Sequence, residues 1–348
     1  MKRIDLRVLA LASVAWLAGC PPEDKPADTQ PDGDADTDTD TDTDTDADVD
    51  TDTDADADTD TDTDTDADVF AGFADGPDFE EAVDVIATSA AIYAVGFTSA
   101  GEPAVVAIDP DTATVTELFA GEPLVMPSGL CVSGDGATIY VTDVASETSD
   151  GKTNGGVYAL DAAGGTPVEI GVAGLVDMPG DITLAHGGSS AWLTGYTPEG
   201  DPAIFSVVLS SGAVSQELVG DPLVDPLQLD SNPDGDTLYV LDSLAASGKG
   251  AIFAFTTSGW AETTLHGWFD TNFPGGVGVN DDDSMLFFSV TGDPGLMSIT
   301  TDGATLEVVD TLALMELPAG VSALADAVYV AESSSLEATD HDLYVLTY

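Results

Sequence analysis

The chain has 348 residues, 43% of them hydrophobic, and sets 65 acidic side chains against six Lys and Arg, for a formal net charge of −59. Such acidity excludes nucleic-acid binding, which depends on Lys and Arg neutralising phosphates, and electrostatic attraction to an anionic bilayer. Two cysteines in a chain of this size leave no disulfide framework.

Residues 1–19 read as a secretory leader. Lys2, Arg3 and Arg7 form a positive start, and Val8 to Ala18 is an apolar run of eleven residues, short of the roughly 20 that span a bilayer. The run ends in Leu17-Ala18-Gly19-Cys20, which resembles the lipobox of bacterial lipoproteins. That resemblance implies cleavage before Cys20, acylation of its thiol and a membrane anchor through that lipid. It places the protein in the bacterial cell envelope, as an outer-membrane lipoprotein facing the periplasm or the cell surface. No later segment approaches transmembrane length without Gly, Pro or charge, so the remainder reads as soluble.

Residues 20–68, from the lipidated cysteine onward, form an Asp/Thr-rich linker. Aspartate fills every even position from Asp32 to Asp68, and residues 21–68 hold 22 acids against Lys25. The segment has almost no apolar surface to offset ordering entropy, and it repels itself, so the expectation is a disordered, extended tether. Fully stretched, its 48 residues reach about 160 Å at roughly 3.3–3.6 Å each. Two roles stand for it: a solvated spacer, or loose calcium binding by alternating carboxylates. Gly33 alone interrupts the run, so such binding would be unsited.

Residues 69–348 change abruptly to short alternating runs of Val, Ala, Leu and aromatics broken by Gly, Asp and Pro, an all-β pattern. The pattern repeats. A proline precedes an inner-strand run at Pro77, Pro127, Pro179, Pro226, Pro274 and Pro318, spaced 50, 52, 47, 48 and 44 residues apart. Second strands read Ile92-Tyr93-Ala94-Val95, Ile139-Tyr140-Val141-Thr142, Ala191-Trp192-Leu193-Thr194, Leu238-Tyr239-Val240-Leu241, Leu286-Phe287-Phe288-Ser289 and Val328-Tyr329-Val330-Ala331. Third strands include Gly156–Asp161 and Ala251–Phe255, and fourth strands Glu117–Gly121 and Glu217–Gly220. Six such units of four strands predict a six-bladed β-propeller. The last unit stops at its third strand, while Asp68-Val69-Phe70-Ala71-Gly72 resembles Glu117-Leu118-Phe119-Ala120-Gly121. The expectation is that Val69–Phe73 supplies the missing outer strand and closes the ring. Across 69–348 the units resemble NHL, YWTD-type and gluconolactonase-like repeats, with Ile139-Tyr140-Val141-Thr142-Asp143 nearest to the YWTD motif. The resemblance implies the fold and says little of function.

A finer period divides the ring into three two-blade units. Units two, four and six end their second strand in an acid, Asp143, Asp242 and Glu332, and continue into loops carrying Lys152, Lys249 and His341. The acids have two readings. They are calcium ligands converging on the axis together with Asp181, or, as YWTD-like repeats imply, structural groups bonding backbone. The loop cations are either a ligand-face triad for an anion or locally paired surface charges. Other axial candidates are Gln228, Asp230, Glu81 and Asp84 at inner-strand starts. A gluconolactonase-like site implies one acid with asparagine ligands, and Asn154, Asn232, Asn272 and Asn280 fall in loops or turns instead. No Gly-x-Ser-x-Gly elbow accompanies His186 or His266. Cys131, in Gly-Leu-Cys-Val-Ser, reads as a buried thiol rather than a nucleophile. The chain therefore reads as a monomeric, membrane-anchored module binding a protein or small molecule. The alternative is a calcium-dependent lactonase or other hydrolase of the gluconolactonase-like type.

Overall fold

The computed structural model describes residues 69–74, 79–147, 151–152, 154–172, 174–245, 249–267, 274–291, 295–309, 315, 317–333 and 343–347. The leader, Cys20, the acidic tether and His341 lie outside them. Every element among the described residues is a strand. The 24 strands form six antiparallel four-stranded sheets, arranged as the blades of a propeller.

Blade 1 comprises β2 (Phe79–Ala87), β3 (Ile92–Thr98), β4 (Pro103–Ile108) and β5 (Val115–Ala120). Blade 2 comprises β6 (Pro127–Val132), β7 (Thr138–Asp143), β8 (Gly156–Asp161) and β9 (Val168–Glu169). Blade 3 has β10 (Ile182–Leu184), β11 (Ser190–Tyr196), β12 (Pro202–Val208) and β13 (Ala213–Val219). Blade 4 has β14 (Pro226–Ser231), β15 (Thr237–Asp242), β16 (Ala251–Thr256) and β17 (Glu262–Gly267). Blade 5 has β18 (Pro274–Val279), β19 (Met285–Val290), β20 (Leu296–Thr300) and β21 (Leu306–Val308). Blade 6 runs β22 (Pro318–Ala323), β23 (Ala327–Glu332) and β24 (Leu343–Thr347), and takes β1 (Val69–Ala74) as its fourth strand.

The burial of each strand explains its sequence. Second strands are covered on both faces, so β23 is buried at every position and reads as a continuous apolar run rather than an alternating one. Outer strands such as β5 are half-exposed and carry Thr and Glu. Between blades the sheets meet face to face, and the buried side chains fall into six clusters, one per interface. Val95 and Val105 of blade 1 meet Leu130, Ile139 and Tyr158 of blade 2. Ile92 and Ala94 of blade 1 meet Tyr329 and Leu343 of blade 6, so the ring is closed by packing. Each such aliphatic side chain contributes about 1.5–3 kcal/mol on burial.

The ring is also closed by hydrogen bonding. β1 pairs antiparallel with β24 in the register Val69↔Thr347, Phe70↔Leu346 and Ala71↔Val345. The residues following the acidic tract thus complete the last blade, as the likeness of Val69-Phe70-Ala71 to Leu118-Phe119-Ala120 predicts. An unpaired β24 would otherwise offer its edge to another chain.

First strands begin, and second strands end, on one face of the ring. The crossovers between blades and the loops joining second to third strands lie on that face, called here the crossover face. The tight turns Ser133–Gly136 and Pro233–Asp236 lie on the opposite one.

Candidate functional site

The inner strand of each blade has a partner on one side only. Its other edge faces the axis, where backbone N–H groups must find partners. Side chains of the preceding blade supply them. Asp84 of blade 1 accepts the Leu130 N–H of blade 2 at 2.9 Å, and Asp181 of blade 3 accepts the Leu229 N–H of blade 4 at 3.1 Å. Asp230 of blade 4 accepts the Val279 N–H of blade 5 at 2.9 Å. Ser322 of blade 6 does the same where the ring closes, its Oγ accepting the Ala87 N–H of blade 1 at 2.9 Å, so that four of the six junctions carry such a bond among the described residues.

These acids meet around the axis. The Gln228 amide reaches from blade 4 to the opposite blade 1 and donates to Asp84 Oδ1 at 3.3 Å. Asp84 and Asp181 are only 4% and 5% exposed. Close approach requires glycine opposite each: a Cβ on Gly320 would lie 1.9 Å from Asp84 Oδ1, and one on Gly129 2.3 Å from Asp181 Oδ1. Loss of hydration disfavours the charged form here. Burial pushes Asp84 up to about 7 and Asp230 up to about 6. It also holds Asp181 well above the carboxylate range, with the charge of Asp84 adding to the effect. Cys131, 4% exposed on β6, is pushed far up by burial and then by the three acids. Its thiol packs with Val157 and Ile182 as part of the apolar core.

The axis does not fit a calcium ion as it stands. Both oxygens of each acid already accept hydrogen bonds: Asp181 Oδ1 from Ile182 N at 2.7 Å, Asp84 Oδ1 from Gln228, and Asp230 Oδ1 from Ser231 N at 2.8 Å and Thr183 Oγ1 at 3.2 Å. Among the described residues no three His, Cys, Asp or Glu side chains converge so as to hold a metal ion.

Asp143, Asp242 and Glu332 occupy equivalent places under the crossover face, apart from the axial acids, and are 0%, 0% and 1% exposed. Asp143 Oδ2 accepts Val125 N at 2.7 Å and Met126 N at 2.8 Å, and its Oδ1 accepts Ala145 N at 2.9 Å and Ser146 N at 2.7 Å. Asp242 repeats this with Val224 N at 2.8 Å, Asp225 N at 3.0 Å and Leu244 N at 3.0 Å. Glu332 accepts Leu317 N at 2.7 Å. Asp143 and Asp242 tie the crossover entering their blade to the loop leaving the second strand, and Glu332 bonds the crossover into blade 6, the backbone-bonding role that the YWTD-like resemblance implies. Blades 1 and 3 leave that strand through hydroxyl-capped turns instead. Thr98 and Thr197 accept Glu102 N at 3.1 Å and Asp201 N at 3.2 Å. Among the described turns of blades 1 to 4, the two-blade alternation is therefore an alternation of turn chemistry.

Lys152 and Lys249 lie in equivalent loops of blades 2 and 4, the first exposed and the second half-buried. A set of hydroxyl staples was not singled out from sequence. Thr142, Thr194 and Ser289 lie one or two residues before the ends of the second strands of blades 2, 3 and 5 and donate to the next blade's Gly180, Leu227 and Ala319 carbonyls. The signal was a hydroxyl recurring at one place in three of the six apolar runs.

No protein-family model and no curated protein matches the chain. Its fold does match solved structures. A gluconolactonase from Xanthomonas campestris aligns over 80% of this chain and 89% of its own, with TM-score 0.59 and 15% identity. A chain of a nidogen/laminin complex aligns over 78% and 97%, with TM-score 0.55 and 15% identity. A TolB-like protein from Agrobacterium tumefaciens aligns over 66% and 80%, with TM-score 0.51 and 17% identity. At such identities the likeness is one of fold.

Proposed function

We propose that the chain is a membrane-anchored propeller lipoprotein of the bacterial cell envelope, held through lipid on Cys20. On this reading it is a rigid binding module that presents its crossover face to a protein or small-molecule ligand. The observation that carries the reading is the use made of the acids. Asp84, Asp181, Asp230, Asp143 and Asp242 all accept backbone N–H groups, so their chemistry goes into holding blades together. What differs from blade to blade is the loops of the crossover face. The lipobox-like Leu17–Cys20 and the acidic tract support display of that face at a distance from a membrane.

The test is cross-linking in intact cells from a photoreactive side chain in place of Glu199, on the crossover face, or of Asp234, on the opposite face; both positions are exposed. An adduct specific to position 199, together with release of the protein from membranes by Cys20→Ser, is the expected result. A stoichiometric calcium site in calorimetry of the full chain, lost in Asp181→Asn, would overturn it in favour of the lactonase reading.

A further inference from the structure

Three aliphatic side chains stand out on the crossover face: Leu175 and Met178, on the crossover into blade 3, are 48% and 54% exposed, and Val224, on the crossover into blade 4, is 45% exposed. They belong to one strip, knitted together by backbone and side-chain bonds. Asp177 and Tyr196 exchange backbone bonds at 2.8 and 2.9 Å, and the Tyr196 hydroxyl donates to Asp225, next to Val224. Ser243 donates to the other oxygen of Asp225, and Asn154 to Asp177. The polar groups between the aliphatic side chains are thus engaged internally, and the side chains themselves project outward.

The strip is also held stiffly at some cost. Met178 has φ of 50°, a left-handed conformation that an L-residue with a Cβ adopts only under constraint. Its N–H donates to the Asn154 carbonyl at 2.7 Å, and Pro179 follows it, disfavouring the right-handed helical alternative. The other large exposed apolar residues, Val168, Val208, Val219, Leu306 and Val308, lie within third and fourth strands rather than on the crossovers themselves.

Charge decides what can cover the strip. Of the 65 acids, 42 fall in residues 69–348, against Lys152 and Lys249. Exposed Glu199, Asp201 and Asp221 stand on the neighbouring loops of the same face. A second copy of this chain brings the same negative charge, its own tract 21–68 brings 22 acids, and an anionic bilayer is repelled likewise. We propose that the strip formed by Leu175, Met178, Tyr196 and Val224 docks a protein segment bearing Lys or Arg beside an aliphatic anchor. The anchor would lie on Met178 and Val224, and its cations would face Glu199, Asp201 and Asp221. This inference rests on the binding-module reading.

The probe is an octapeptide with two leucines between two lysine pairs, compared with its serine counterpart of equal charge. Fluorescence anisotropy is read on the full chain in nonionic detergent at about 0.15 M salt, with micelles alone as blank. The leucine peptide should bind about tenfold tighter than the serine peptide. Met178→Ser with Val224→Ser should bring that ratio near one, whereas Leu306→Ser with Val308→Ser on the outer edge should leave it. These positions are exposed, so folding is not at stake. Equal affinity for the two peptides, or a ratio that survives Met178→Ser and Val224→Ser, overturns the proposal. In that event an adduct from position 199 in cells would leave the binding-module reading standing, and its absence would remove both.

Discussion

Neutralising one axial acid should stabilise this propeller at neutral pH and not at acid pH. In Asp84→Asn the amide oxygen can still accept the Leu130 N–H, while the charge is gone. The Asp84 carboxyl is raised from 3.8 to about 7 by burial, against the opposing pull of its bonds to Leu130, Val85 and Gln228. The folded state therefore holds a proton that the unfolded chain has released, and stability falls as pH rises from about 4 to about 7, then levels off. At 1.36 kcal/mol per pH unit the full effect is on the order of 4 kcal/mol. The same burial acts on Asp230, raised to about 6, and on Asp181, so wild type should melt highest near pH 4–5. Against wild type, Asp84→Asn should gain at pH 8 roughly 5–10 °C in melting temperature, and gain nothing at pH 4. Tryptophan-fluorescence melts of both proteins from pH 4 to 8 measure this. If Asp84→Asn lowers the melting temperature equally at pH 4 and pH 8, the charge-assisted bond to Leu130 outweighs burial and the reasoning fails.

The remaining predictions concern the staples between blades. Gly320→Ala puts a Cβ 1.9 Å from Asp84 Oδ1 and 2.6 Å from its Cα. It should cost at least about 2 kcal/mol in denaturant unfolding, in the range of overpacked cores. Asp143→Ala strands four backbone N–H groups and should cost about 3–5 kcal/mol, whereas Asp143→Asn should recover part of it. Thr194→Val removes the acceptor of the Asp181 N–H and the donor to the Leu227 carbonyl. A loss of about 1–3 kcal/mol is expected, against a change near zero for Thr112→Val in the exposed turn Asp109–Thr114. Cys131 should resist a thiol reagent in the native protein and react on unfolding, because burial both covers the thiol and suppresses its thiolate. Labelling at the native rate of an exposed cysteine would refute this.

Much of the fold was legible in the chain because it repeats. Prolines at 127, 226, 274 and 318 start β6, β14, β18 and β22, and Pro179 sits three residues before β10; each inner strand must begin where a crossover ends. The closure by β1 was readable because one orphan segment matched the outer strand of another blade. Of the axial residues, Asp84, Asp181, Gln228 and Asp230 could be named from their place in inner-strand runs, although only Asp181 stands at a strand start, Asp84 and Asp230 lying deeper in β2 and β14. Which of them would touch could not. Gln228 and Asp84 lie 144 positions apart, and they meet because six blades place the first opposite the fourth. The fate of each carboxylate was equally hidden. Whether an acid in an inner strand faces a metal, a ligand or a neighbour's amide depends on how closely one blade packs on the next, which Gly129 and Gly320 permit by having no Cβ. Local pattern therefore determined strands, order and closure, since hydrophobic period and turn residues act within a few positions. Tertiary structure alone decided that the acids hold the ring together, and that Tyr196 links the crossovers carrying Met178 and Val224, because those relations join residues that only the packing of blade on blade brings near.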